Sequence, residues 1–197
     1  MTAIAAIALI AIAVTVASLV YLHISPTGLH PVRDAVSRYG ITDYRTGYRA
    51  AAISLGISAL ALAVALAEAF DEVNVPGTIF LILLGLARIL IGWVPMDAPG
   101  AEKTASGRNH NLLATAFFAC ATVAAFLYTG SFADDPHLAG LAPASAILAW
   151  TLAALSVLVL VTAVVPALRL VFGLVERLLY VAVIAWIATV AITLIAV

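Results

Sequence analysis

Charge is scarce in this chain. Only 10% of its 197 residues are Asp, Glu, Lys or Arg, against about a quarter in a typical soluble domain. With 65% of residues apolar, that scarcity excludes a soluble globular enzyme and a disordered tail. Lysine occurs once, as Lys103, and the formal net charge is -1. A nucleic-acid binder is therefore excluded, because no basic stripe exists to meet phosphates. Cysteine also occurs once, as Cys120. One cysteine forms no internal disulfide, so a stapled secreted module is excluded and the redox compartment is left unmarked. Zinc-type histidine spacings, a glycine ahead of Lys103 to make a phosphate loop, and a nucleophile elbow are all missing.

What the chain does have is alanine, 42 of them, and long apolar runs. Runs of about 18 residues or more reach across the hydrocarbon at 1.5 Å per residue. Inside lipid the backbone must satisfy its own hydrogen bonds, so such runs are helical. Six qualify: residues 3–22, 50–70, 77–94, 111–129, 144–165 and 174–197. Pro76 and Pro95 bracket the third run, and Pro143 and Pro166 the fifth, as starts and stops. The first run has no basic residues ahead of it and is expected to be a permanent span rather than a cleaved leader. The expected architecture is all-α: one domain, a polytopic six-helix transmembrane bundle. No internal repeat is visible between its halves.

The loops alternate in sign. Loop one carries Arg33, Arg38, Arg45 and Arg49, loop three Lys103 and Arg108, and loop five Arg169, with Arg177 just beyond. Loops two and four hold Asp71, Glu72, Asp134 and Asp135 and no cation. Positive charge resists export, so loops one, three and five are expected in the cytoplasm and both termini outside the cell membrane. Tyr21, Tyr48, Trp93 and Tyr128 fall at span ends, where interfacial aromatics belong. Within loop one, Pro31 to Tyr39 reads as a short amphipathic helix. Val32, Ala35, Val36 and Tyr39 share its apolar face, and Gly40 ends it. Such a basic helix is expected to lie in the headgroup plane or to cap the bundle.

Arg88 is the most informative residue. It lies seven residues before Pro95, so about 10 Å inside the membrane. Gly85 and Gly92 share its helix face, marking a close neighbour. Arg88 is thus expected to face the interior, and Glu176, at the start of span six, is its expected partner. Two readings stand: an ion pair that fixes packing, or a contact for an anion or headgroup. Asp97, His110, Glu176, Asp34 and Arg38 are expected to gather at the same membrane surface. By residue type His30, Asp97, His110 and Glu176 are possible metal ligands, although none has metal-site spacing. The four histidines stand at or beyond span ends, which gives no basis for a haem, and no cofactor is expected. In span two, Ser54, Ser58, Ala61, Ala65 and Glu68 form a small-residue seam read as helix packing.

Three stretches resemble a known family. They are Ala35-Val36-Ser37-Arg38-Tyr39-Gly40 with Gly47 after it; Gly85-x-x-Arg88 running into Gly92-Trp93-Val94-Pro95-Met96-Asp97; and Gly107-Arg108-Asn109-His110. Together they resemble the bacterial six-span membrane family catalogued as domain of unknown function 998, with Val94 standing where that family usually shows phenylalanine. The resemblance implies a six-helix bundle, points to Asp97 and His110, and implies no reaction. Eight arginines against one lysine also lead us to expect a high-GC bacterial source.

The leading functional expectation is binding or transport of a lipid or small amphipathic molecule. Arg88, Asp97, His110 and Glu176 would do this at the cytoplasmic end, with Arg38 and Asp34. The alternatives are an intramembrane metal-dependent hydrolase built on Asp97 and His110, and a structural membrane subunit without ligand. Membrane lipids are the expected partners; ligand identity, catalysis and oligomeric state are not encoded in any pattern.

Overall fold

Apolar side chains offer the backbone no hydrogen-bonding partner, so the chain folds by saturating itself. In the computed structural model, which describes residues 1–197, 131 of 154 backbone hydrogen bonds lie inside helices, and there is no strand. Six α-helices follow in order: α1 Thr2–Ile24, α2 Arg45–Ala69, α3 Val75–Ile91, α4 Ala105–Asp134, α5 Ala142–Val164 and α6 Phe172–Ala196. Five are long and apolar enough to cross a membrane, and α3 is a shorter apolar helix. The prolines punctuate as expected: Pro76 and Pro143 sit in first turns, while Pro95 and Pro166 follow ends. Helix α4 starts six residues before its expected apolar run, because the Thr104 side chain caps it by accepting from the Gly107 amide.

Each helix packs on the next, and α6 closes the ring by packing on α1 and touching α2 and α4. The contacts use small residues. Thr15 and Ser54 meet across α1 and α2 at 2.8 Å. Between α2 and α3, Gly56 and Gly85 face each other so closely that a Cβ on Gly56 would stand 2.7 Å from the Gly85 carbonyl oxygen. Ser54, Ser58 and Ala65 of the small-residue seam are buried in this packing. Outward, Ile10, Leu112, Ile147 and Trp150 are more than half exposed. Such an apolar jacket suits lipid and not water.

The ends of the bundle differ in charge. All nine lysines and arginines lie at one end, with loops one, three and five, here the basic end. The other carries Glu68, Asp71, Glu72, Asp134 and Asp135, and is the acidic end.

Two expectations are corrected. The segment Pro31–Tyr39 is not an α-helix: a turn leads to extended Ala35, then a 3-10 helix over Val36–Ile41. The reason is competition from α6. Glu176 takes the Val36 amide at 2.6 Å, Arg177 takes the Asp34 carbonyl at 2.7 Å, and the Leu174 amide takes the Val32 carbonyl at 3.0 Å. Backbone groups that an α-helix would pair internally are held by another helix instead. Val36 and Tyr39 are buried in the core, so of the two placements expected for loop one the burial fits capping of the bundle. The exposed apolar turn at this end is Pro166–Val171, with Leu168, Leu170 and Val171 outward. Finally, Tyr48 and Tyr128 do not face outward at their span ends: both are buried in the protein, whereas Tyr21 and Trp93 are exposed.

Candidate functional site

Arg88 stands in the last turn of α3 and is completely buried. Its expected ion pair with Glu176 is not formed. The only ion pairs are Arg38 with Asp34 and the N-terminal amine with Glu68. Glu176 is occupied instead: it caps the 3-10 helix of loop one through the Val36 amide. Around the guanidinium stand three aromatic rings, one from each neighbouring helix. Tyr180 of α6, Phe117 of α4 and Tyr48 of α2 have ring centroids 4.9, 5.0 and 5.8 Å from its central carbon. Desolvated contacts of this kind are each worth up to about 2 kcal/mol. They counter part of what burying a guanidinium costs. The ring faces attract the charge, and the Tyr48 hydroxyl is the acceptor beside it, though not within hydrogen-bond geometry. Nε, Nη1 and Nη2 of Arg88 all lack a hydrogen-bond partner.

Two more orphaned atoms are close by in the fold. The Tyr48 hydroxyl and His110 Nε2 are buried and unpartnered. Tyr48 and His110 line a cavity of about 320 Å³ that opens at the basic end, together with Arg45, Arg49, Trp93 and Met96. Arg49 holds its rim, donating from Nε to the Gly92 carbonyl at 3.1 Å and lying over Trp93 at 4.7 Å. Arg88 lies behind Tyr48, deeper than this vestibule. His110 and Ser37 also line a second, more apolar groove of about 350 Å³ between α4 and α5, where Phe118, Val159 and Phe172 form the walls.

Asp97 and His110 do not meet. Both serve a clasp between the end of α3 and the start of α4. Asp97 accepts from the Thr104 hydroxyl at 2.6 Å and from its amide at 3.1 Å. These two donors hold the Asp97 carboxyl below the usual carboxylate range. Ser106 donates to the Pro95 carbonyl at 2.9 Å, and His110 Nδ1 meets the Val94 carbonyl at 2.7 Å. Gly107 is required here, because any Cβ would collide with the Asp97 carboxylate. Asp34 and Arg38 pair with each other within loop one, and His30 gives its amide to Asp34 at 2.7 Å. No three His, Cys, Asp or Glu side chains converge as a metal ion requires. The set His30, Asp97, His110 and Glu176 is thus dispersed over separate structural tasks.

Asp97, Gly107 and His110 therefore have a mechanical meaning, and so do the short motifs that contain them. A family model described as "Protein of unknown function (DUF998)" matches residues 9–193. The chain belongs to this family. No curated protein and no solved structure matches it. In this DUF998 chain the clasp and the buried arginine occupy one end of the bundle, and the family name assigns neither of them a task.

The residues absent from the sequence-based set are Tyr48, Phe117 and Tyr180. A signal for two of them existed. Tyr180 stands four residues after Glu176 and Phe117 seven after His110, so each shares a helix face with a residue already singled out.

Proposed function

We propose that the basic end of this protein binds an amphipathic anion of lipid type, with Arg88 pairing to its charged head. The observation that carries this reading is a fully buried guanidinium with no carboxylate paired to it and no hydrogen bond closed, only the Tyr48 hydroxyl standing near. Burying a charge without a partner costs several kcal/mol, and a phosphate or carboxylate meets the guanidinium's planar fork in two places. Arg45 and Arg49 at the vestibule draw an anion toward it, and the groove beside His110 offers apolar walls for a tail. Binding is favoured over transport by the acidic end. There Phe70, Tyr128 and Phe132 stack on one another at about 6 Å, and Tyr128 and Phe132 are fully buried. A metal-dependent hydrolase has no supporting cluster.

The reading includes the topology. Helix α3 serves as a sixth span, because Gly92–Val94 continue it with turn hydrogen bonds to Ile89, Leu90 and Ile91. Seventeen helical residues then become 20, or about 30 Å. The basic end faces the cytoplasm by the positive-inside rule, with both termini outside. Cys120 is buried, so cysteines introduced at Ala101 and Ala133 report sidedness to a membrane-impermeant thiol reagent. Labelling of Ala133→Cys alone in intact cells is expected; labelling of Ala101→Cys alone reverses the orientation.

Native mass spectrometry of the detergent-purified protein tests the binding. Anionic lipid is expected to be retained over phosphatidylcholine, and Arg88→Gln to reduce retention at least about tenfold, the worth of one charge-assisted hydrogen bond. Equal retention of both lipids by the unaltered protein overturns the reading.

A further inference from the structure

The hydrogen bond at His110 fixes which nitrogen carries the proton. Nδ1 lies 2.7 Å from the Val94 carbonyl oxygen. A carbonyl only accepts, so Nδ1 is the donor, and in the neutral ring Nε2 is a bare lone pair. That nitrogen is buried without a partner, in a residue only 3% exposed. The vestibule therefore holds an unmet acceptor, and the unmet donors of Arg88 lie one side chain deeper, behind Tyr48. Tyr48 links the two, since it lines the cavity with His110 and packs over Arg88. Helix α4 links them again: His110 and Phe117 share a face two turns apart, about 10 Å, and the Phe117 ring lies against Arg88.

A plain anion fits only half of this arrangement. A carboxylate or a phosphodiester brings acceptors for Arg88 but has no hydrogen on its charged head for the Nε2 lone pair. A phosphomonoester has both. Its second ionisation falls near pH 6, so about half keeps one P–OH at pH 6 and about a tenth at pH 7, still negatively charged.

We propose that the site is built for a phosphomonoester head, with Arg88 taking the charge and His110 Nε2 accepting the P–OH hydrogen. This rests on the reading above that the basic end binds an amphipathic anion. A lipid headgroup and free phosphate share this chemistry, and the test separates them.

Binding to the detergent-purified protein is compared for dioleoylphosphatidate and dioleoylphosphatidylmethanol, in which P–OCH₃ replaces P–OH, with inorganic phosphate as competitor. Phosphatidate is expected to bind roughly tenfold tighter than the methyl ester, the size of one hydrogen bond to a charged group. His110→Asn keeps an amide donor for the Val94 carbonyl and removes Nε2. It is expected to bring the two lipids within about twofold, the residue left when one hydrogen bond is lost. Should that variant fail to fold, the lipid pair on the unaltered protein decides alone. Displacement of phosphatidate by equimolar inorganic phosphate supports the proposed head and makes its source the free ion. Equal affinity for phosphatidate and its methyl ester, with both lost in Arg88→Gln, overturns the phosphomonoester assignment and leaves the anion reading standing. Binding of neither lipid overturns both.

Discussion

At the acidic end of the bundle, buried polar side-chain atoms are matched; at the basic end six are not. Asn74, half-buried, shows the first case. It caps α3 by accepting from the Gly77 amide at 2.9 Å, and its own amide donates to the Leu127 carbonyl at 3.1 Å and to Ser131 at 2.7 Å. Tyr128 shows it again, with its hydroxyl 2.8 Å from that of Thr78. By contrast, all six buried side-chain atoms that lack a partner belong to Arg38, Tyr48, Arg88 and His110, at the basic end. The same fold closes its polar accounts at one end and leaves them open at the other. Orphaned donors destabilise a protein that has no ligand for them. Their confinement to one end, beside the vestibule, is what supports the proposed site there.

The sharpest ways to break this contrast are substitutions paired across the two ends. Asn74→Ala is expected to lower thermal stability in detergent by about 2 to 3 kcal/mol. The cap contributes about 1 kcal/mol, and each stranded partner about 1 more. Lipid retention should not change, and a change there would show that the ends are not separate. A closer comparison uses one hydroxyl at each end. Tyr128→Phe is expected to cost about 1 kcal/mol, because it removes the hydrogen bond to Thr78, whose own hydroxyl still donates to the Asn74 carbonyl. Tyr48→Phe removes an unpaired hydroxyl and should leave the melting temperature level or raised. An equal loss in both variants would mean that Tyr48 is already satisfied.

The smallest effect concerns pH. Thr104 holds the Asp97 carboxyl below its unfolded value, which is about 3.9. The clasp's contribution is therefore complete above that unfolded value and fades as pH falls through the lower folded one. Limited proteolysis of loop three should accelerate only on that acid branch. Asp97→Asn should remove the acid dependence, and an unchanged acid profile in that variant would separate it from Asp97.

Much of this arrangement is legible in the residues, and the boundary is physical. Hydropathy and proline placement mark the helices, because lipid forces the backbone to pair with itself. Gly85 and Gly92 foretell that Arg88 faces inward, since small residues admit a neighbouring helix. Two kinds of information are not local. The Arg88–Glu176 pair fails because Glu176 and Arg177 engage loop one, a contact between segments 140 residues apart. No spacing encodes it. For the same reason the 3-10 path of Val36–Ile41 is hidden: the apolar face of Pro31–Tyr39 is read correctly as apolar, yet it turns into the core. Asp97 and His110 are recognisable as a linked pair of motifs. That they clasp two helix ends rather than converge on a ligand depends on the course of the thirteen residues from Gly92 to Thr104.

Arg88→Met tests the central claim most directly, by thermal unfolding with and without anionic lipid. Replacing a buried, unpaired cation by an apolar side chain of similar length is expected to leave lipid-free stability level or to raise it by about 1 to 4 kcal/mol. The stabilisation by anionic lipid should disappear. A large loss of lipid-free stability with the lipid response intact would contradict the account, and would make Arg88 a packing residue.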